Sequence, residues 1–254
     1  KSKMKIILYK IVFLMGLATG CFAQNTDPIQ TDRPDQTECP FITPTHFLQF
    51  EIGFPYEKTN THSTKMSLPT MLSKFGINER FELRLITEHL ITSEITNENS
   101  GFTPIAIGFK SQLLKERGIL PTLAVIGHFH LPKVASTIFQ TPYSAPAFRF
   151  TMQHTLTPNQ TLSYNIGAEW DGDTGIPTFI YTLTTAYSFS EKTSGYIELY
   201  GFLPQIDLGN HRLDGGFNYL WNPNHQLDIS AGIGLTENAP KYFVALGYSF
   251  RFKI

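Results

Sequence analysis

Residues 241–254, KYFVALGYSFRFKI, alternate large apolar side chains with smaller or polar ones from end to end. One face of this stretch carries Tyr242, Val244, Leu246, Tyr248, Phe250, Phe252 and Ile254. The other face carries Lys241, Phe243, Ala245, Gly247, Ser249, Arg251 and Lys253. Because successive side chains of a β-strand point to opposite faces, this period of two predicts a strand whose faces meet different surroundings.

The same alternation recurs through most of the preceding chain, most clearly in 161–170, 210–221 and 226–235. Together these windows predict about twelve strands in residues 45–254. The strands are expected near 45–54, 65–75, 80–90, 103–113, 119–130, 145–156, 161–170, 177–189, 194–203, 210–221, 226–235 and 241–252.

The connections between these windows alternate in length. Short turns of suitable composition follow every second strand, at 76–79, 114–118, 157–160, 190–193 and 222–225. Several other connections are longer, notably 55–64, 91–102 and 131–144. Outer-membrane barrels place short turns in the periplasm and long loops outside the cell. An even number of strands then puts both termini in the periplasm, with the last strand closing against the first.

The composition also favours a barrel in lipid. The chain carries 21 Phe and 11 Tyr but only 16% charged residues, whereas soluble domains carry about 25%. In a membrane the sheet must close on itself, so that the apolar face meets lipid and the polar face lines the interior. Aromatic residues toward the strand ends would form the interfacial girdle, namely Tyr164, Trp170, Tyr219, Trp221, Tyr242 and Phe252.

The fold prediction is therefore an all-β, antiparallel, up-and-down transmembrane β-barrel of about twelve strands over residues 45–254. A soluble barrel or sandwich is the alternative, because its strands also alternate. The many outward aromatic side chains and the unequal connections favour the membrane barrel. Its expected location is the outer membrane of a Gram-negative bacterium.

Residues 1–23 have the organisation of a signal peptide. A lysine-rich start precedes the apolar run 11–18, and small residues lead to Ala23, after which cleavage is expected. The apolar run is too short to span a membrane as a helix, which takes about 20 residues. An alternative takes 17–21 as a lipoprotein signal with Cys21 lipidated. Ala18, three residues before Cys21, stands where such signals usually have Leu.

Charge and cysteine content exclude other classes. The formal net charge of −1 gives no basis for nucleic-acid binding. After cleavage Cys39 would be the only cysteine, so no internal disulfide could form.

The stretch 24–44 is polar and punctuated by proline, and it is predicted to be a linker or a plug-like segment. Pro34 and Pro40 push the residues before them toward extended backbone. In one interpretation the segment folds into the periplasmic mouth and forms salt bridges with lumen charges. In the other it is a solvated linker.

Within this stretch, TDRPD at 31–35 followed by Thr37-Glu38 resembles the N-terminal motif of a group of bacterial outer-membrane proteins. They belong to the family described as "putative MetA-pathway of phenol degradation", which is common in Bacteroidetes. The matching residues are Thr31, Asp32, Arg33, Pro34, Asp35, Thr37 and Glu38. Cys39 departs from the motif, where a small residue such as Ser is usual. The resemblance implies an outer-membrane barrel with a transport role, and the family's description suggests an aromatic solute.

Most of the remaining charge falls on positions expected to face inward. They are Glu51, Glu82, Arg84, Glu88, Lys110, His128, His130, Arg149, Glu169, Glu198, Arg212, Asp214, Asp228 and Arg251. Both signs are interleaved, which predicts ion pairs that brace the interior or a lining that selects solutes. About twelve strands spaced ~4.8 Å apart and tilted by ~40° give a backbone diameter of roughly 24 Å. Side chains would fill much of it, leaving a narrow channel.

Catalytic and metal-binding patterns are weak. His128 and His130 share one strand face and could join Glu88 or Glu169 in a metal or proton site, but hydrogen-bonded wall residues are the simpler interpretation. Neither His62-Ser63 nor His89 with Ser93 has the spacing of a known catalytic motif. We therefore expect no enzyme, no bound metal and no cofactor.

Three functions stay open. The first is a channel for small solutes, which the family's description implies are hydrophobic or aromatic. The second is a non-transporting barrel with a structural or interaction role, and the third is a lipid-acting enzyme of the outer membrane. The expected partners are outer-membrane lipid, the barrel-assembly machinery acting on the C-terminal strand, and a small solute of unknown identity.

Overall fold

A computed structural model describes residues 27–254 of the chain, so the predicted signal peptide and the alternative lipidation of Cys21 lie outside the described residues. The described part contains thirteen strands. They are β1 (Phe47–Lys58), β2 (Thr64–Asn78), β3 (Phe81–Ser93), β4 (Glu98–Phe102), β5 (Ile105–Leu114), β6 (Thr122–Leu131), β7 (Ala145–Thr157), β8 (Gln160–Glu169), β9 (Thr178–Ser188), β10 (Thr193–Pro204), β11 (Asn210–Asn222), β12 (His225–Gly234) and β13 (Tyr242–Lys253). Across these described residues, no helix has the length and apolar character needed to span a membrane.

The strands form one closed antiparallel sheet. β4 pairs with 89–93 of β3, while β5 pairs with 81–86 of the same strand. β4 and β5 therefore share one position around the barrel, and the thirteen strands fill twelve positions. β13 pairs with β1 from Phe47↔Lys253 to Lys58↔Tyr242. The predicted twelve-stranded barrel, closed by its last strand, is confirmed.

The connections mostly keep the predicted asymmetry, with three differences. Short turns occur at 79–80, 158–159, 189–192 and 223–224, the connection 115–121 is longer than predicted, and the longest loop is 132–144. The predicted loop 91–102 is wrong, because β3 continues to Ser93 and forms a hairpin with β4. The predicted loop 55–64 is also too long, since β1 reaches Lys58. Both extensions rise beyond the apolar belt, where polar residues occupy both faces and the alternation that marks a strand is lost.

The barrel has its polar residues inside and its apolar residues outside. The outward side chains of Ile197 and Phe217 are 63% and 62% exposed, whereas the inward side chains of Lys110 and Glu198 are fully buried. A soluble protein would reverse this distribution, so the exposed apolar surface requires a lipid environment. Tyr219 and Trp221 are exposed at the periplasmic end of β11, and Tyr242 lies at the opposite end of β13. These are the positions expected for the two aromatic girdles.

The outward surface gives a test of membrane embedding. Leu246 lies near the middle of β13, whereas Leu227 lies close to the periplasmic end of β12. Leu246→Arg should lower the free energy of unfolding in phospholipid bilayers by about 2–4 kcal/mol, and Leu227→Arg by about 0–1 kcal/mol. Urea titration of the refolded barrel, followed by tryptophan fluorescence, measures both values. Equal losses in the two variants would contradict the assigned belt.

Candidate functional site

Residues 27–44 lie inside the barrel. They enter at the end that carries the short turns, where the Ile29 amide donates to the Pro223 carbonyl at 2.8 Å. The segment leaves the interior beside Gly76, where an added Cβ would lie 2.2 Å from the Pro44 carbonyl oxygen. His46 then turns the chain into β1 with φ of 63°. A glycine at position 76 is therefore needed for the segment to pass so close to the wall.

The Asp32 carboxylate is the centre of a buried ion-pair cluster. Its Oδ1 atom lies 2.7 Å from Lys110 Nζ. Its Oδ2 atom lies 3.1 Å from Lys74 Nζ and 3.3 Å from Arg84 Nη2. The three cations come from β2, β3 and β5, and none is more than 3% exposed. One carboxylate of the segment therefore joins three strands of the wall.

Carboxylates of the wall complete this cluster. Glu51 lies 2.6 Å from Lys74, and its other oxygen accepts from the backbone amides of Asp32 and Arg33. Glu82 accepts from the backbone amide of Thr43 at 2.6 Å. The segment has no regular secondary structure, so its buried amides need such partners. Charged acceptors make these hydrogen bonds stronger than neutral ones.

Residues 36–38 cross to the opposite wall. The Gln36 amide donates to Glu198 at 2.7 Å. The Thr37 hydroxyl contacts Glu198 and lies 2.6 Å from the hydroxyls of both Thr182 and Thr184. These partners belong to β9 and β10, whereas Asp32 is held by β2, β3 and β5. The segment is therefore attached to both sides of the lumen.

Two further contacts extend the crossing. The Glu38 amide donates to Asn165 Oδ1 at 2.8 Å, and its carboxylate lies 2.7 Å from Arg84 and 3.9 Å from Arg149. Arg33 forms a 2.9 Å ion pair with Asp228 of β12. An added Cβ at Gly53 would lie 2.1 Å from the Arg33 guanidinium. The wall therefore leaves room for this side chain.

The predicted lining residues fall into two groups. Eight contact the segment directly, and seven of these are Glu51, Glu82, Arg84, Lys110, Arg149, Glu198 and Asp228. Arg251 also contacts it, through the Asp27 carbonyl. The others interact mainly with the wall. Arg212 pairs with Glu57 at 2.8 Å, Glu169 lies 3.8 Å from Arg149, and Ser67 donates to Glu88. Asp214 lies opposite Glu198 in the β10–β11 register.

Sequence reasoning missed Lys74, which is one of the three cations on Asp32. The β1–β2 register shifts between Gly53 and Tyr56, and the β2–β3 register shifts between Ser67 and Thr70. A bulge reverses which residues of a strand face inward, so the alternation along β2 did not identify this lysine as a lumen residue. The neutral partners Asn165 and Thr184 carry no charge that would distinguish them from other inward polar residues, so nothing in the sequence indicated them.

The histidines form no recognisable reactive centre. His128 and His130 face the interior on β6, and nowhere within residues 27–254 do three or more His, Cys, Asp or Glu groups lie in an arrangement suited to a metal ion. On the β3–β4 hairpin, His89 Nε2 lies 3.5 Å from Ser100 Oγ. No carboxylate bonds to His89 among the described residues, so this pair lacks the third member of a hydrolase triad.

The closed sheet, the apolar exterior and the charged interior define the class, an outer-membrane β-barrel. Residues 31–252 match the model of the family described as "Putative MetA-pathway of phenol degradation", and the chain belongs to that family. The match begins at Thr31, the first residue of the motif that lies inside the lumen.

Solved structures share the fold. The COG4313 outer membrane channel from Pseudomonas putida F1 is 14% identical, with 87% of this chain and 99% of that chain covered and a TM-score of 0.69. The NanC porin is 11% identical, with coverages of 80% and 98% and a TM-score of 0.55. The KdgM porin is 10% identical, with coverages of 80% and 99% and a TM-score of 0.51. No curated protein matches the chain.

The Asp32 cluster predicts how the segment can be loosened. Asp32→Asn leaves three buried cations without their shared carboxylate, and breaking a buried ion pair costs about 3–5 kcal/mol. Residues near Asp32 should then be exposed more often, including Cys39, whose amide donates to Asp32 at 3.0 Å. Maleimide labelling of Cys39, located by peptide mapping, should be faster than in the unmodified protein. Asp207→Asn, in an outer loop, is the control, and equal labelling in both variants would contradict the anchoring role.

Proposed function

We propose that the chain is an outer-membrane channel for small solutes and that residues 27–44 are its internal plug. The supporting observation is the crossing at residues 36–38, which is bonded to β9 and β10 while Asp32 is bonded to β2, β3 and β5. A segment fixed at both sides of a lumen restricts passage through it. Its movement would then control the flow of solute.

The chemistry of the attachments favours a plug that can move. They are ion pairs and hydrogen bonds, which water can replace, and not interdigitated apolar side chains. A cavity of about 640 Å³ lies between residues 28–41 and the inner face of β7–β12. A second, of about 360 Å³, lies on the other side of the segment. Space for displacement is therefore already present inside the barrel.

The chemistry of the residues that line the lumen favours one class of solute over another. The family's description led to an expectation of hydrophobic or aromatic solutes, yet the buried inward positions are mostly charged, hydroxyl or amide groups. The large apolar side chains on the strands point mainly outward. Polar pore walls favour hydrophilic solutes, because these exchange hydrogen bonds with the wall as they pass. We therefore propose small hydrophilic solutes in preference to aromatic ones.

A non-transporting barrel is the second candidate, favoured by the number of buried ion pairs across the lumen. In that case the segment is a permanent brace. In either case lipid surrounds the apolar exterior, and we propose that the barrel-assembly machinery acts on β13 during insertion. The His89–Ser100 pair is too incomplete to support a lipid-acting enzyme.

Two threonines of the segment give a matched test. Both are buried, but the Thr37 hydroxyl contacts Glu198, whereas the Thr43 hydroxyl has no hydrogen-bond partner among the described residues. A hydrogen bond to a charged group contributes about 1.5–3 kcal/mol. Thr37→Val should therefore raise the open fraction in planar bilayers by roughly 10- to 100-fold. Thr43→Val should leave it unchanged.

Deletion of 31–40 provides the reference for a fully open barrel, and its conductance should be large and steady. Heat-modifiable migration on gels verifies that each variant is folded. If the deletion variant is folded but carries no current, the protein is a brace and not a channel. Equal open fractions in the two valine variants would show that the Thr37 crossing is not the gate.

A further inference from the structure

The larger cavity is a vestibule that opens toward the periplasm, since the turns 158–159 and 189–192 form its rim. Its wall is rich in neutral hydrogen-bonding groups. They include Gln153, Ser163, Thr184, Ser194, Asn218 and Gln226. Its volume of about 640 Å³ lies within the range of sites for small organic ligands, roughly 300–1,000 Å³.

The charges that reach this vestibule are unequal. Arg33 is neutralised by Asp228 at 2.9 Å, and Glu191 and Lys192 stand side by side with opposite charges at the rim. Asp35 also lines the cavity, and no basic group of the described residues lies within 4.0 Å of its carboxylate. When the Asp35 carboxyl is ionised, the inner end of the vestibule therefore carries a negative charge that no neighbouring basic group balances.

Two further carboxyl groups lie close enough to Asp35 to interact with it electrostatically. Glu198 of β10 and Asp214 of β11 are direct register partners, and like charges directly opposite each other destabilise a sheet. Tyr196, which lines the cavity, donates to one oxygen of Asp214 at 3.4 Å. The other oxygen is buried and has no donor among the described residues, although Asp214 is only 6% exposed. This oxygen needs a proton or a positive partner, and no basic group of the described residues lies within 4.0 Å of it.

The burial of Asp35 and the nearby carboxylates change the pKa of its side chain. Burial raises the pKa of its carboxyl well above the usual range, and the negative charges of Glu198 and Asp214 add to the increase. The negative charge of Asp32, on the same segment, raises the pKa of Asp35 further. A cation that enters the vestibule therefore competes with a proton for this site, and cation binding should strengthen as the pH rises.

We propose that the vestibule binds small organic cations that carry an ammonium group, and that Asp35 determines this preference. The proposal rests on the proposed channel function and names the class of solute that it favours. An ammonium group would be held by the carboxylates, while hydroxyl and amide groups of the wall would bind the rest of the molecule. Among the described residues, no three His, Cys, Asp or Glu side chains are grouped so that they could coordinate a metal ion, so the proposed preference rests on charge and hydrogen bonding.

Reversal potentials across planar bilayers in a KCl gradient test the preference in the full-length protein. The unmodified channel should favour K⁺ over Cl⁻, more strongly at pH 8 than at pH 5. Asp35→Asn should bring the permeability ratio close to one. Glu88→Gln, which removes a lumen carboxylate outside the vestibule, should leave the ratio nearly unchanged. A preference for Cl⁻, or an equal loss in both variants, would overturn the proposal.

Calorimetric titration of the detergent-solubilised protein with spermidine gives a readout that needs no current. Spermidine should bind at least tenfold more tightly to the unmodified protein than to Asp35→Asn, and neither sorbitol nor succinate should bind at the same concentration. If spermidine binds in this way but no variant conducts, the result supports the binding vestibule and contradicts the channel function. If the protein conducts but neither binds spermidine nor discriminates between ions, the result supports the channel function and contradicts the vestibule proposal.

Discussion

The carboxylate of Asp32 is the interaction on which the interior depends. Lys74, Lys110 and Arg84 point into the lumen from three strands, and each would be costly to bury without a partner. Asp32 contacts all three, and Glu51 and Glu82 neutralise the remaining charge. The barrel wall therefore has its charges satisfied only when the segment is in place.

The two walls of the lumen treat the segment differently. The β1–β5 side binds it through balanced ion pairs. On the β9–β11 side lie Glu198 and Asp214, and neither has a basic partner within 4.0 Å among residues 27–254. The ion pairs on the first side are costly to break, so this side would hold the segment in place while the rest of it moves. The second side combines free volume with a group of acidic side chains, so it is the side on which we propose that residues 36–38 move and a cation enters.

The fold could be predicted from the sequence because one rule covers each strand. The alternation in 241–254 depends only on neighbouring residues, and the lipid environment selects the same face in every strand. The predicted strand boundaries were wrong at the β3–β4 hairpin, because no lipid imposes that rule there. The interior was harder, since Asp32 and Lys110 are 78 positions apart and nothing local indicates their contact. Lys74 was missed for a related reason, because register shifts in β2 hide its direction.

The central claim, that residues 36–38 close the lumen, is tested most directly by locking them in place. The hydroxyls of Thr37 and Thr184 lie 2.6 Å apart, so cysteines at these positions are suited to a disulfide. The Thr37→Cys, Thr184→Cys protein, with Cys21 and Cys39 replaced by serine, should carry no current when oxidised. Reduction during the same bilayer recording should restore openings. Equal currents before and after reduction would contradict the account.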